Sequence, residues 1–188
     1  MNMQDYLDQS GRTAAPPQER LELFDGDNRA MMRQCIDMVT IGGMADIMKR
    51  GMFYGTDVAK LKDRAVKSTE MQTDLYKQVD AKPEQFTFTP YDLDMLHGVF
   101  GVFSEAGEIL EEMMKTKLEG REIDHVNIIE EIGDIMWYLA LVLRVNDGSF
   151  EDAAERNLNK LKARYPEQFT QEKAENRDLD AERSTLEA

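Results

Sequence analysis

The apolar positions of this chain recur at helical spacing, and no segment alternates in the manner of a strand. From Asn28 to about Arg50, Met31, Cys35, Ile36, Met38 and Val39 fall near that spacing and predict a helix, weakened at Gly42 and Gly43. Phe53, Tyr54 and Gly55 read as a turn, with Thr56 as N-cap of a polar helix to about Val79. Upstream, a short helical stretch around Tyr6 and Leu7 is broken by Gly11, Pro16 and Pro17. Lys82–Pro90 reads as a linker with prolines at both ends. Thr89 followed by Pro90 opens a helix predicted from about Tyr91 to Lys117, stopped at Gly120. Asp124 caps a helix from about His125 to Val145, and Ser149 with Asp152 starts one to about Arg164. The segment after Pro166 is polar and strongly charged. An all-α antiparallel helix bundle is the expected fold class, with no membrane-spanning run and no apolar signal core.

Composition narrows the function. The net charge of -14 works against phosphate backbones, so a nucleic-acid partner is not expected. A polyphosphate ligand would need cations to reverse the local sign. A single cysteine, Cys35, excludes an internal disulfide and has no zinc-ligand companions. These features read as a cytoplasmic chain with no membrane partner.

The chemistry concentrates in two short runs. Glu105-Ala106-Gly107-Glu108 and Glu131-Ile132-Gly133-Asp134 each place two carboxylates one helical turn apart on one face. If the two helices fold back about a turn near Gly120, Glu105 comes level with Asp134 and Glu108 with Glu131, because each pair is centred on the same point of the chain. Four carboxylates would then meet across one gap, flanked by Phe103, Leu110 and Met113 on one helix and Ile128, Ile132, Ile135 and Leu139 on the other. Such a group repels itself unless protons or cations neutralise it, and hard oxygen ligands favour magnesium, with manganese as the alternative. Gly107 and Gly133 are expected to let the helices approach. Glu111, Glu112 and Glu130 read as a solvated acidic face, and His97 and His125 as surface or capping residues. A di-iron bundle would need two Glu-x-x-His motifs; Glu122 and His125 supply one, at the turn and far from the quartet.

The helix after Ser149 carries Asn157, Lys160 and Arg164 on one face, followed by Tyr165 and Pro166. An amide, an ammonium and a guanidinium suit polyphosphate oxygens, and Lys115 is a further candidate cation. A merely solvated basic face is the competing reading.

With Leu96-His97-Gly98, GVFSEAGEILEE (101–112), Gly120, EEIGDIMWYLA (130–140) and NLNKLKARYPEQF (157–169), about half the chain resembles the MazG-like nucleotide pyrophosphohydrolases of the all-α NTP pyrophosphatase group. The resemblance implies hydrolysis of a nucleoside triphosphate or its deoxy counterpart to monophosphate and pyrophosphate. It implies magnesium held by Glu105, Glu108, Glu131 and Asp134, which double as the catalytic residues. Asn157, Lys160, Arg164, Tyr165 and Lys115 become substrate-binding candidates, and Trp137 and Tyr138 could flank the base, with packing the other reading for Trp137. It also implies a homo-oligomer, dimer or tetramer. The rival readings are a phosphoribosyl-ATP or dUTP/dCTP-type pyrophosphohydrolase, a non-catalytic metal- or nucleotide-binding regulator, and a helical docking module.

The chain departs from the family before residue 90. Met1–Thr13, with Tyr6 and Arg12-Thr13, resembles the family's short first helix, but residues 17–89 look like an insertion. Residues 40–58 slide onto 105–123 at a constant offset of 65, with Thr40 and Gly43 where Glu105 and Glu108 would stand. One reading makes this a degenerate repeat, and the chain a pseudo-dimer; chance similarity between unrelated helices is the other. The expected organisation is therefore an N-terminal helical segment (1–89), a catalytic helical core (90–166) and a charged tail (167–188).

Overall fold

Cap chemistry sets the ends of most helices in this protein. The computed structural model describes residues 2–14, 27–82 and 86–187. These contain eight α-helices and no strand: α1 (Met3–Ser10, continuing as a 3-10 turn, Gly11–Thr13), α2 (Asn28–Phe53), α3 (Val58–Ala81), α4 (Pro90–Glu119), α5 (His125–Val145), α6 (Phe150–Arg164), α7 (Gln171–Glu175) and α8 (Leu179–Glu187). The breaks expected at Pro16, Pro17 and Pro83 lie outside the described residues. Thr89 caps α4 in a reciprocal box with Asp92, and Pro90 sits at the first turn, where its missing N–H does no harm. Gly120 ends α4 at φ 68, ψ 23, a left-handed conformation that a Cβ would strain. Asp124 accepts the amides of Val126 and Asn127 at the start of α5. One cap differs from expectation. Asp57, not Thr56, caps α3, accepting the Ala59 N–H at 2.8 Å, while Thr56 is buried.

The chain divides into two units, Met1–Asp25 with Phe88–Glu155, and Gly26–Thr87 with Arg156–Ala188. In the first, α4 and α5 form an antiparallel hairpin. Its facing stripe runs Gly98, Gly101, Glu105, Glu108 and Glu112 on α4, a three-four spacing that keeps one side of the helix toward its partner. A Cβ on Gly101 would come within 2.2 Å of the Tyr138 ring, and one on Gly98 within 2.4 Å of Val142. Gly107 and Gly133, expected to permit the close approach, face open space instead, because they lie off this stripe. The α1 helix packs on α5: Arg144 Nη1 donates to the Leu7 carbonyl (3.0 Å) and Ser10 Oγ (2.6 Å), placing a cation at the C-terminal end of α1. The Tyr6 hydroxyl donates to the Gly133 carbonyl at 3.2 Å.

A clasp closes the hairpin at its turn. Glu112, expected on a solvated face, is only 7% exposed. Its carboxylate accepts Arg121 Nη1 and Nη2 (2.6 Å each) and the Asp124 amide (2.8 Å). The Arg121 guanidinium and then that amide hold the Glu112 carboxyl down at about 2. A folded value below the ordinary ~4.3 means the clasp contributes fully above that pH and fades as pH falls toward 2. Glu112→Gln is therefore expected to lower the thermal midpoint at neutral pH by several degrees and to flatten the acid limb of the stability curve. Melting curves at intervals from neutral to strongly acidic pH check this; an acid limb identical to the parent's would contradict it.

In the second unit, α2 and α3 form another hairpin, with Arg29 paired to Asp80 at 2.7 Å and Ile36 and Val79 buried. Shifted by the offset of 65, its helices begin and end within three residues of α4 and α5. Gly55 (φ 62) falls on Gly120 (φ 68). The ion pair Asp46–Arg50 (2.7 Å) falls on Glu111–Lys115 (2.8 Å). Val66 and Thr69 stand where the other hairpin has Glu131 and Asp134. Two hairpins of matching length and turn position thus differ in their acids. The charged tail forms α7 and α8, and Glu182 of α8 is buried between Arg164 (Nη2, 2.5 Å) and Arg177 (Nη2, 2.6 Å).

Candidate metal centre

The hairpin register does what the spacing requires. Glu105 on α4 and Glu131 and Asp134 on α5 each place a carboxylate oxygen within 4.8 Å of the others. Glu131 is 5% exposed and Glu105 half-buried, while Asp134 is open to solvent. Burial, the adjacent Glu108, and a hydrogen bond with Glu131 that needs a shared proton push the Glu105 carboxyl above its usual range, with the charges of Glu131 and Asp134 adding to the effect. Glu108 is thus electrostatically part of the group although it stands outside the three-oxygen cluster. The donor set fits a hard divalent cation: all ligands are carboxylates, they converge, and their mutual repulsion is what a cation would relieve.

Two supports escape a reading based on acids alone. Asn127, one turn before Glu131, donates Nδ2 to Glu131 Oε1 at 2.6 Å and fixes the buried carboxylate. Its spacing of four on α5 is the available sequence signal. Thr13 joins Glu105, Asp134, Trp137 and Tyr138 around a cleft of ≈ 330 Å³, and its hydroxyl accepts the Trp137 Nε1–H at 2.7 Å. That contact spans 124 positions and has no local signal. His97, expected at the surface, is half-buried with its ring edge-on to Trp137 (5.7 Å) and Tyr138 (5.5 Å). The apolar residues flanking the acids are not sealed: Phe103, Leu110, Met113, Ile132 and Leu139 all remain exposed.

Residues 99–169, which hold all four acids, match the model of the MazG nucleotide pyrophosphohydrolase domain. The "Gene 37 protein" of Mycobacterium phage L5 is 30% identical over 118 residues, covering 57% of this chain and 100% of the phage protein. The chain belongs to the MazG nucleotide pyrophosphohydrolase family. No solved structure matches it significantly. The MazG segment begins within α4 and runs past the end of α6, so it also takes in the basic face expected to meet phosphate. There the candidates are differently engaged. Arg164 donates Nε (2.7 Å) and Nη2 (2.5 Å) to Glu182, and its guanidinium stands 5.6 Å from the Tyr165 ring centre. Tyr165 also packs against Phe169. Asn157 is exposed and Lys160 half-buried. Lys115 pairs with Glu111 at 2.8 Å, on the turn-ward side of the acids. Asn157, Lys160, Arg164 and Tyr165 belong to the second unit and the four acids to the first. No helix among the described residues is long and apolar enough to cross a membrane.

Proposed function

We propose that the α4–α5 hairpin hydrolyses nucleoside triphosphates, ribo or deoxy, between the α and β phosphates, releasing monophosphate and pyrophosphate with magnesium as the bound cation. The observation that carries this reading is the convergence of Glu105, Glu131 and Asp134 within a segment that matches the MazG domain. These three would hold the cation, with manganese as its substitute. When bound, the cation supplies neutralisation of phosphate oxygens and acidification of water.

The chain's own residues do the rest. Asn127 keeps the Glu131 carboxylate oriented and therefore available as a ligand. Glu108, which stands outside the three-oxygen cluster, is the acid left to take a proton from the attacking water, with Glu105 as the alternative base. Asn157 and Lys160 stay candidates from the sequence for contacting phosphate, and Lys115, on the hairpin itself, is a further candidate cation. Arg164, a further candidate, has its Nε and Nη2 engaged by Glu182.

The test is to incubate the full chain with the eight common ribo- and deoxynucleoside triphosphates, with magnesium or with chelator, and to separate the products. Monophosphate and pyrophosphate in equal amounts, lost on chelation, is the expected outcome. Diphosphate with inorganic phosphate would overturn the site of attack. Metal binding without turnover of any nucleotide would favour a regulatory role.

A further inference from the structure

We propose that Thr13 fixes the indole of Trp137 as the nucleoside-facing wall of the acidic cleft, and that its remaining lone pair selects a hydrogen-bond donor on the bound nucleoside. This rests on the proposed pyrophosphohydrolase reading. Attack at the α-phosphorus puts the sugar one ester linkage from the acids, so the nucleoside must occupy space adjoining Glu105 and Asp134. The cleft that adjoins them ends on Thr13, Trp137 and Tyr138. Its volume of ≈ 330 Å³ falls within the roughly 300–1,000 Å³ typical of small-molecule sites.

Trp137 follows Asp134 by one turn on the same face of α5, so the indole stands directly beyond the carboxylate cluster. Its orientation is fixed from two sides. The ring stands edge-on to Tyr138 at 5.0 Å and 89°, and to His97 at 5.7 Å. Its N–H is held by Thr13 Oγ1 at 2.7 Å. A ring so restrained loses little freedom on stacking against a flat heterocycle.

The hydrogen-bond count at Thr13 is specific. A threonine hydroxyl has one proton and two lone pairs. The proton goes to the Ser10 carbonyl at 3.0 Å, and one lone pair receives the indole N–H. One acceptor position is left at the cleft, and it complements an N–H or O–H. On a nucleoside that donor is either a base amino or imino group or a sugar hydroxyl.

Trp137 is the chain's single tryptophan, so its fluorescence reports on this wall alone. The experiment titrates the full chain, with magnesium, against nucleotides whose α–β bridge is a non-hydrolysable imido group, and against pyrophosphate as control. Thr13→Val and Thr13→Ser are compared with the parent, and KM and kcat are measured on the cleavable nucleotides. The expected result is a fluorescence change with nucleotide and none with pyrophosphate. Thr13→Val should weaken binding and raise KM about three- to tenfold with kcat little altered, the loss of one hydrogen bond, and Thr13→Ser should restore both. A valine penalty that disappears with sugar-deoxy nucleotides assigns the donor to the sugar; one that disappears with base analogues lacking the amino or imino proton assigns it to the base. Equal KM for valine, serine and parent, or an identical fluorescence change with pyrophosphate, would overturn the proposal. A nucleotide-dependent fluorescence change in a protein that cleaves nothing would sink the hydrolytic reading while leaving this binding wall in place.

Discussion

Glu131→Gln is expected to reduce kcat/KM by at least about 10²–10³-fold, the scale of losing a group that stabilises developing charge. The substitution keeps the shape of the side chain and an oxygen for the Asn127 amide, so the loss would reflect charge and not collapse of the hairpin. Its effect on stability should have the opposite character. With the metal chelated, one of four neighbouring negative charges is gone, and the variant should melt no lower than the parent. The parent should gain thermal stability on adding magnesium, and the variant should gain much less. Calorimetry with magnesium and with chelator, alongside the product assay, measures all three quantities. Wild-type turnover in the variant would remove Glu131 from the centre; a large drop in the chelated melting temperature would make its role structural.

Gly101→Ala is expected to cost about 1–3 kcal/mol and to impair catalysis together with stability. The added methyl would sit 2.2 Å from the Tyr138 ring, at the inner edge of the ring and not at a mobile tip. Relief requires either the ring or the α4–α5 spacing to shift. Both would disturb the cleft, because Tyr138 lines it and Glu105 lies one turn further along the same stripe. Tyr138→Leu in the same chain should recover part of the stability by removing the obstructing ring. Denaturant unfolding of the two single variants and the double variant tests this; strictly additive losses would mean the two positions do not meet.

How much of this could be read from letters depends on the kind of signal. The hairpin and the convergence of Glu105, Glu131 and Asp134 are legible because register follows from counting outward from Gly120, and helical rise is the same on both sides. The same counting pairs Gly101 with Tyr138 and Glu112 with Asn127, so the facing stripe extends beyond the acids in both directions. Gly107 and Gly133 mislead because they neighbour the acids in sequence but point elsewhere on the helix. Glu111 and Glu112 look alike as letters; the facing stripe takes in only the second, which is buried and bound to Arg121 nine positions on. The Thr13–Trp137 bond joins segments with nothing in common locally, and no period or motif encodes it. Likewise the competition of Glu182 for Arg164 depends on how the charged tail folds back, which its composition does not determine.

The Glu112 clasp bears on how the proposed centre would take up its ion. All its members lie within twelve positions of one another, so the turn can close through local contacts and with modest chain entropy. Closure there sets the register in which the acids face one another. An incoming ion would meet ligands already gathered, with little of its binding energy consumed in ordering the backbone. Ion loss should accordingly silence the protein while leaving the hairpin standing, and resupply should restore it without refolding. A protein built this way can follow changes in the surrounding ion concentration on the timescale of ligand exchange.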